Sequence, residues 1–357
     1  MDGATANSGR GTALVTGATG FVGRNLVEEL LRRGVVVTCL VRRSSDTRAL
    51  AQLGVRLVTA DLPGPDPALV ELVSGHEVVY HVAGAVKALN LDGFLRANAV
   101  VTEEVCAACV AAARPPRRLV LMSSLGAVGP ADPGATLTEA QAPRPVTDYG
   151  RSKLEGERRA LAYRDRLPIA IVRPTAVYGP RDHELLPVVK LARRGLVPLM
   201  GGRDQIVNLV HVDDVVQATI LASERDVESG EVFHVGDLRG YSMTEFGALL
   251  CGVFGRRPRF LALPRALVFA AALGSEIGGR LRRRPAIFNR QKLPELRASW
   301  VMDVARLRDR LGWAPRWDLP TGLRATVAWY RQEGWLPADD AGGRDGGPAD
   351  GTLESHP

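Results

Sequence analysis

Tyr149 and Lys153 stand four positions apart in DYGRSKLEGERRAL (148–161), a stretch with helical spacing, so their side chains share one face. An ammonium beside a phenol favours the phenolate. That lowers the phenol pKa and makes Tyr149 a usable proton donor and acceptor. Y-x-x-x-K occurs by chance on many surface helices; its weight here comes from Ser124, 25 positions earlier at the end of an apolar run, whose hydroxyl can bond a carbonyl or alkoxide oxygen. Together the three suit proton exchange with such an oxygen.

A partner for that oxygen's carbon is suggested by TALVTGATGFVGRNLVEELLRRG (12–34). A short β-branched run leads into Gly17, Gly20 and Gly23, and a helical pattern (Phe21, Val22, Leu26, Leu30, Leu31) follows. Strand, glycine turn and helix are the context of a dinucleotide loop. Gly17 permits the tight turn, Gly20 lets the backbone approach a pyrophosphate, and Gly23 lets the helix lie on the strand, its free N–H groups facing the anion.

Strand-like runs recur at 35–41, 55–60, 77–83, 118–124 and 168–174 with helical segments between them. This predicts an α/β, Rossmann-type, doubly wound parallel sheet with its ligand at the carboxyl ends of the strands. Asp61, Ala83-Gly84 and Ser123-Ser124 fall at those ends. The second strand exits as CLVRRSS, with Val41 where an acid would hold a ribose 2′-hydroxyl and Arg42 and Arg43 directly after. A 2′-phosphate wants arginine there, so NADP is favoured over NAD; two solvated arginines in a turn are the alternative.

The rest of the composition narrows the class. The 357 residues are 46% hydrophobic and 24% charged, enough to bury a large core. The net charge of +7 is almost all arginine interleaved with acids, which gives no continuous basic, aromatic-studded face for nucleic acid. The opening residues lack the apolar core of a signal peptide, and the longest apolar stretch, ALVFAAALG (266–274), is too short to span a membrane. That stretch has Arg256, Arg257, Arg259, Arg265, Arg280 and Arg282–Arg284 around it, and reads as a helix of the substrate lobe in preference to a membrane-surface helix. Cys39, Cys106, Cys109 and Cys251 read as small buried hydrophobes in a reducing cytoplasm, with no metal site. His211, Asp213 and Asp214 have no nucleophile elbow to serve; one of the aspartates is expected as a helix N-cap and His211 as a packed strand end. Lys87 is expected as a solvated loop lysine.

The ordered set TGATGFVG, HVAGAVKA, LMSSLGAVG, YGRSK, VRPTAVYGP and LVHVDD closely resembles the extended short-chain dehydrogenase/reductase family, also labelled NAD-dependent epimerase/dehydratase, from about Thr12 to Leu336. The resemblance implies that Ser124, Tyr149 and Lys153 form a catalytic triad. It implies cofactor roles for the glycine loop with Thr19, Phe21 and Val22, for Asp61-Leu62 near the adenine, for Ala83-Gly84, for Asn98, and for Pro174-Thr175 near the nicotinamide. It also implies a dinucleotide domain over 11–180 and a smaller substrate-binding lobe mainly over 181–336, with segments returning to the first. Residues 1–10 and 337–357 read as disordered tails.

Departures from subfamilies bear on the substrate. Ser124 is followed by Leu125-Gly126, without the acids of sugar-nucleotide dehydratases, and Ala176 and Val207 stand where UDP-sugar epimerases resembling this chain carry Asn and Arg. Leu185, Leu186, Val188, Leu196 and Val197, with the 260–273 stretch farther on, are expected around the pocket entrance. The pattern is closer to dihydroflavonol-4-reductase-like and 3β-hydroxysteroid-dehydrogenase-like members. The expectation is hydride transfer between a nicotinamide cofactor and an apolar, ring-bearing alcohol or ketone, in a homodimer. Two alternatives stay open. One is a nucleotide-sugar enzyme with tightly bound NAD, using Arg181, Arg194, Arg203 or Arg282–Arg284 for a diphosphate; the other is a non-catalytic dinucleotide-binding protein, against which the intact triad argues.

Overall fold

The computed structural model describes residues 11–64, 67–132, 134–200, 205–282, 290 and 293–337. Apart from Gly11's predecessors and the residues after Pro337, where the expected tails lie outside the described residues, the chain is a run of short elements. The strands are β1 (Thr12–Thr16), β2 (Val36–Val41), β3 (Arg56–Thr59), β4 (Val78–His81), β5 (Arg118–Met122), β6 (Ile169–Pro174), β7 (Ala176–Tyr178), β8 (Leu196–Leu199), β9 (Ile206–Val207), β10 (Leu209–His211), β11 (Glu231–Val235), β12 (Tyr241–Ser242) and β13 (Arg259–Ala262). The helices are α1 (Phe21–Arg32), α2 (Arg48–Ala51), α3 (Pro67–Ser74), α4 (Leu91–Leu95), α5 (Val101–Ala111), α6 (Asp148–Leu161), α7 (Leu186–Ala192), α8 (Val212–Glu224), α9 (Met243–Gly252), α10 (Arg265–Leu281), α11 (Leu293–Arg297), α12 (Ala305–Leu311) and α13 (Leu319–Gln332).

Seven strands form one parallel sheet in the order β11-β6-β5-β4-β1-β2-β3. Its apolar runs are buried on both faces, as a parallel sheet requires. In β1, Ala13 and Val15 point to a core shared with Leu26 and Leu30 of α1 and Val215 of α8. Leu14 points to the opposite core with Val73 of α3 and Val105, Cys106 and Cys109 of α5. All four cysteines are free and buried, and burial pushes the Cys39 and Cys106 thiols up to about 12. The strand order reverses between β1 and β4, which opens a crevice at their carboxyl ends.

β11, expected to return to the sheet, pairs with β6. A third core gathers Tyr178, Leu185, Val189, Val197, Leu250, Leu323 and Tyr330 from β7, the α7 region, β8, α9 and α13. Residues 206–211 form two short strands: β9 pairs antiparallel with β12, and β10 pairs parallel with β7. Asn208 separates them because its amide is spent on the 237–239 backbone, donating to Asp237 O (2.9 Å) and Arg239 O (3.1 Å) while accepting from Asp237 N. The N-cap of α8 is His211, which accepts from Asp213 N, and neither aspartate fills that role. Asp214 is buried and accepts from the backbone N–H groups of Arg316 and Trp317, and Asp213 takes the Trp317 indole N–H.

Candidate active site

At the switch point the β1 and β4 loops are drawn tightly together. Gly17 adopts φ +73°, and a Cβ there would lie 2.5 Å from Ala83 N, so only glycine fits. Gly20 is the N-cap of α1 without a side-chain hydrogen bond, and the first turn carries no acid. Uncapped N–H groups at the positive end of a 12-residue helix fit a pyrophosphate. Across the crevice, a Cβ on Gly84 would meet Asn98 Oδ1 at 2.8 Å and Lys153 Nζ at 2.9 Å. The backbone there is bare, with a buried ammonium behind it. Thr19 and Gly20 are exposed and Phe21 and Val22 half-buried at the cradle's rim. These residues fit a dinucleotide.

Ser124, Tyr149 and Lys153 converge from two elements. Ser124 follows β5 and caps the short turn Leu125–Ala127, its Oγ accepting from Gly126 N at 3.1 Å. The α6 helix starts at Thr147, whose side chain accepts from Gly150 N, and presents Tyr149 and Lys153 on one face. The Ser124 hydroxyl and the Tyr149 ring flank the same point, 3.3 and 3.6 Å from where a Cβ on Gly126 would lie. The Tyr149 ring meets Phe94 edge-on, with centroids 6.1 Å apart. Lys153 Nζ donates to Met122 O at 2.9 Å.

The electrostatics differ from the spacing-based expectation. Tyr149 is not lowered: burial pushes its phenol up to about 12, the nearby Ser124 hydroxyl opposes this, and the Glu295 carboxylate adds to the rise. Burial drives Lys153 down to about 8, while the Glu157 carboxylate one turn on pulls it back up. Removing a group from water disfavours its charged form, and here that effect exceeds the neighbouring charge. Tyr149 is therefore a phenol at neutral pH, equipped to give a proton.

Several supports were invisible in the sequence. Residues Arg96–Val100 form a π-helical turn that swings Asn98 inward. Asn98 clamps the β4 loop, accepting from Ala85 N (2.7 Å) and donating to Ala85 O (3.0 Å) and Ser152 Oγ (2.9 Å). Glu157 and Arg173 form a buried pair that also receives the Ser123 hydroxyl. Glu295 of α11 accepts from Thr147 Oγ1 at 3.2 Å, and a Cβ on Gly126 would meet both Glu295 Oε1 and Ser124 Oγ at 3.3 Å. No motif announces these pairings, because each joins residues far apart in the chain or rests on a helical irregularity.

The remaining expected residues are distributed as follows. Arg42 and Arg43 leave β2 exposed, and Arg43 is held by Asp61, through its backbone N–H (3.1 Å) and its guanidinium (3.4 Å). Leu62 packs at the edge of the second core. Pro174 ends β6, and the Thr175 hydroxyl donates to Asn208 O at 3.1 Å. Lys87 is not simply solvated: it pairs with Glu184 and ties the β4 loop to the segment before α7. Arg181 is committed to Asn25 (2.7 Å) and Glu28 (3.0 Å) of α1, so it is engaged elsewhere than at a diphosphate. Arg203, Arg283 and Arg284 lie outside the described residues. Leu185 and Val197 are buried in the third core with Leu186 and Val188 packed on it; they hold α7 and β8 together instead of lining an entrance.

A parallel sheet with a bare glycine crevice at its switch point and a serine, tyrosine and lysine beside it define the class, an NAD(P)-dependent oxidoreductase. The sequence model of the NAD dependent epimerase/dehydratase family matches residues 13–236, and the chain belongs to that family. The chain is 36% identical over 336 residues to a ceramide reductase of Caulobacter vibrioides, covering 93% of this chain and 98% of the relative. It is 32% identical over 346 residues to sterol demethylase protein B of Methylococcus capsulatus, covering 91% and 100%. Among solved structures, MoeE5 in complex with UDP-glucose and NAD superposes with a TM-score of 0.70 at 28% identity, covering 90% of this chain and 99% of that one.

Proposed function

We propose that this protein reduces the ketone of a hydrophobic, lipid-like or ring-bearing substrate, with NADPH as hydride donor. The observation that carries the reading is the convergence of the half-buried Tyr149 and Ser124 on Gly126, with the Lys153 ammonium beside the Gly84 crevice. The nicotinamide, when bound, supplies a hydride to the carbonyl carbon. Ser124 orients the carbonyl oxygen, with its own Oγ fixed by Gly126 N. Tyr149 gives that oxygen its proton as charge develops on it. The Lys153 ammonium, at the back of the crevice, holds the ribose and stabilises the phenolate left behind. Arg42, which unlike Arg43 has no carboxylate partner among the described residues, is the group proposed to meet a 2′-phosphate.

Support for the substrate class comes from the relatives named for ceramide and sterol chemistry, and from Ala176 and Val207, which offer a diphosphate neither charge nor a donor side chain. The test is NADPH oxidation with long-chain amido ketones and with aryl or steroidal ketones, alongside calorimetry with UDP on the cofactor-loaded protein. Turnover of a hydrophobic ketone without UDP binding is expected. Micromolar UDP binding with epimerisation of UDP-glucose would overturn the reading.

A further inference from the structure

Helix α10 turns an apolar face to solvent. From Ala266 to Ser275 it has no charged residue, and its buried seam is narrow: Val268 and Ala272, one turn apart, pack with Leu293, Met200 and Leu263. Leu267, Phe269 and Ile277 are 62%, 46% and 51% exposed, and Leu261 of β13, four residues before the helix, is 44% exposed. Four of the eight large exposed hydrophobics among the described residues thus fall in this one segment. A helix serving only the core of its lobe carries polar residues on its outer side.

The charges framing this face have one sign. Arg256, Arg257, Arg259, Arg265 and Arg282 are exposed, and the acid of the same stretch, Glu276, is bound by Arg290 at 2.7–3.1 Å. The face is also close to the chemistry. Leu293, the seam partner of α10, opens α11, and two residues on, Glu295 reaches Thr147 at the start of the Tyr149 helix.

We propose that the outer face of α10, with Leu261, docks on an anionic phospholipid bilayer. The arginines would lie among the headgroups and Leu267, Phe269 and Ile277 would enter the interfacial zone, bringing α11 and the crevice to the lipid boundary. Charge selects this occupant over a second copy of the chain. An isologous dimer would set the cationic rim against itself, whereas an anionic surface meets it with the opposite sign. The proposal rests on the lipid-like substrate reading for its purpose, but its test uses no substrate.

The full chain is mixed with vesicles of phosphatidylcholine alone or with phosphatidylglycerol, and flotation is measured. Binding to the anionic vesicles, weakening as salt rises, is expected. Arg256→Glu/Arg257→Glu/Arg259→Glu should lower partitioning by ~100-fold, and Leu267→Glu/Phe269→Glu by ~10-fold or more, with circular dichroism unchanged because all five positions are exposed. No flotation, equal binding to neutral vesicles, or a dimer in solution that Leu267→Glu/Phe269→Glu dissociates would each overturn it. NADPH oxidation with a water-soluble ketone, run on the same samples, keeps a failure of docking separate from a failure of the reductase reading.

Discussion

Glu157 grips Arg173 through both carboxylate oxygens, at 2.6 and 2.8 Å, with the two side chains only 2% and 6% exposed, and Glu157 sits one helical turn beyond Lys153. A single buried anion thus anchors a β6 arginine to the α6 helix and raises the affinity of Lys153 for its proton. Glu157→Gln should cost about 3–5 kcal/mol, the loss seen when one partner of a buried pair is removed. Pairing it with Arg173→Gln should recover part of that loss in urea unfolding. A double variant no more stable than the single one would show that the two side chains do not act as a unit.

The same neighbours set the pH dependence of turnover. Tyr149, pushed up to about 12, stays protonated across the working range, so it imposes no alkaline limb. Lys153, driven down to about 8, loses its charge as pH rises through that value, and ketone reduction should decline there. Glu157→Gln removes the nearby anion and should move the limb to lower pH. Tyr149→Phe keeps the ring and its Phe94 contact but has no proton to give, so turnover should fall by at least ~10²-fold while NADPH binding persists. A Phe variant with near-normal turnover would remove Tyr149 from the mechanism.

Much of this arrangement is legible in the sequence because it is local. β-branched runs at βα spacing mark β1 to β6, the Gly17-Gly20-Gly23 trio marks the crevice, and the interval between Tyr149 and Lys153 places both on one helical face. What was not legible depends on the third dimension or on a broken period. A π turn at Arg96–Val100 looks like ordinary helix until Asn98 is seen bonded to Ala85. The direction of the Tyr149 pKa turns on how far the surrounding protein desolvates the phenol, and helix spacing carries no information about that. Likewise, Leu185 and Val197 have the composition of a pocket wall, but the third core consumes them.

The proposed preference for NADPH rests on the end of β2. Asp61 occupies Arg43, and the exposed Arg42 is the group proposed to meet a 2′-phosphate. Arg42→Asp should weaken NADPH binding by roughly 10–100-fold, in line with about 1.5–3 kcal/mol for a charge-assisted contact, and spare or improve NADH. Fluorescence titration checks both cofactors, and tighter NADH than NADPH binding in the unaltered protein would reverse the assignment.

His81 ends β4 inside a closed chain of hydrogen bonds. The Ala83 N–H donates to Thr16 Oγ1 (3.2 Å), which lies 2.7 Å from His81 Nδ1; His81 Nε2 lies 3.1 Å from Thr102 Oγ1, which donates to Asn98 O (2.6 Å). With the Thr102 proton spent on Asn98, Nε2 must carry the hydrogen and Nδ1 must accept from Thr16. The ring is wholly buried, and burial, with repulsion from Lys153, drives its pKa down to about 3. A depressed pKa means that the unfolded chain takes the proton first. The stability contributed by neutral His81 is complete above about pH 6.5 and is lost as pH falls toward 3, at about 1.4 kcal/mol per pH unit within that window. Asp182 and Asp214, raised to about 6 by burial, act in the opposite direction below pH 6, so the His81 share must be read as a difference. His81→Gln cannot titrate, and its unfolding free energy should fall less steeply between pH 6.5 and 4.5 than that of the unaltered protein. Its NADPH affinity should drop, because Thr16, which holds the Ala83 N–H, and Thr102, which bonds Asn98 O, lose the ring that links them. Parallel pH slopes for the two proteins in urea unfolding would exclude a buried, neutral His81.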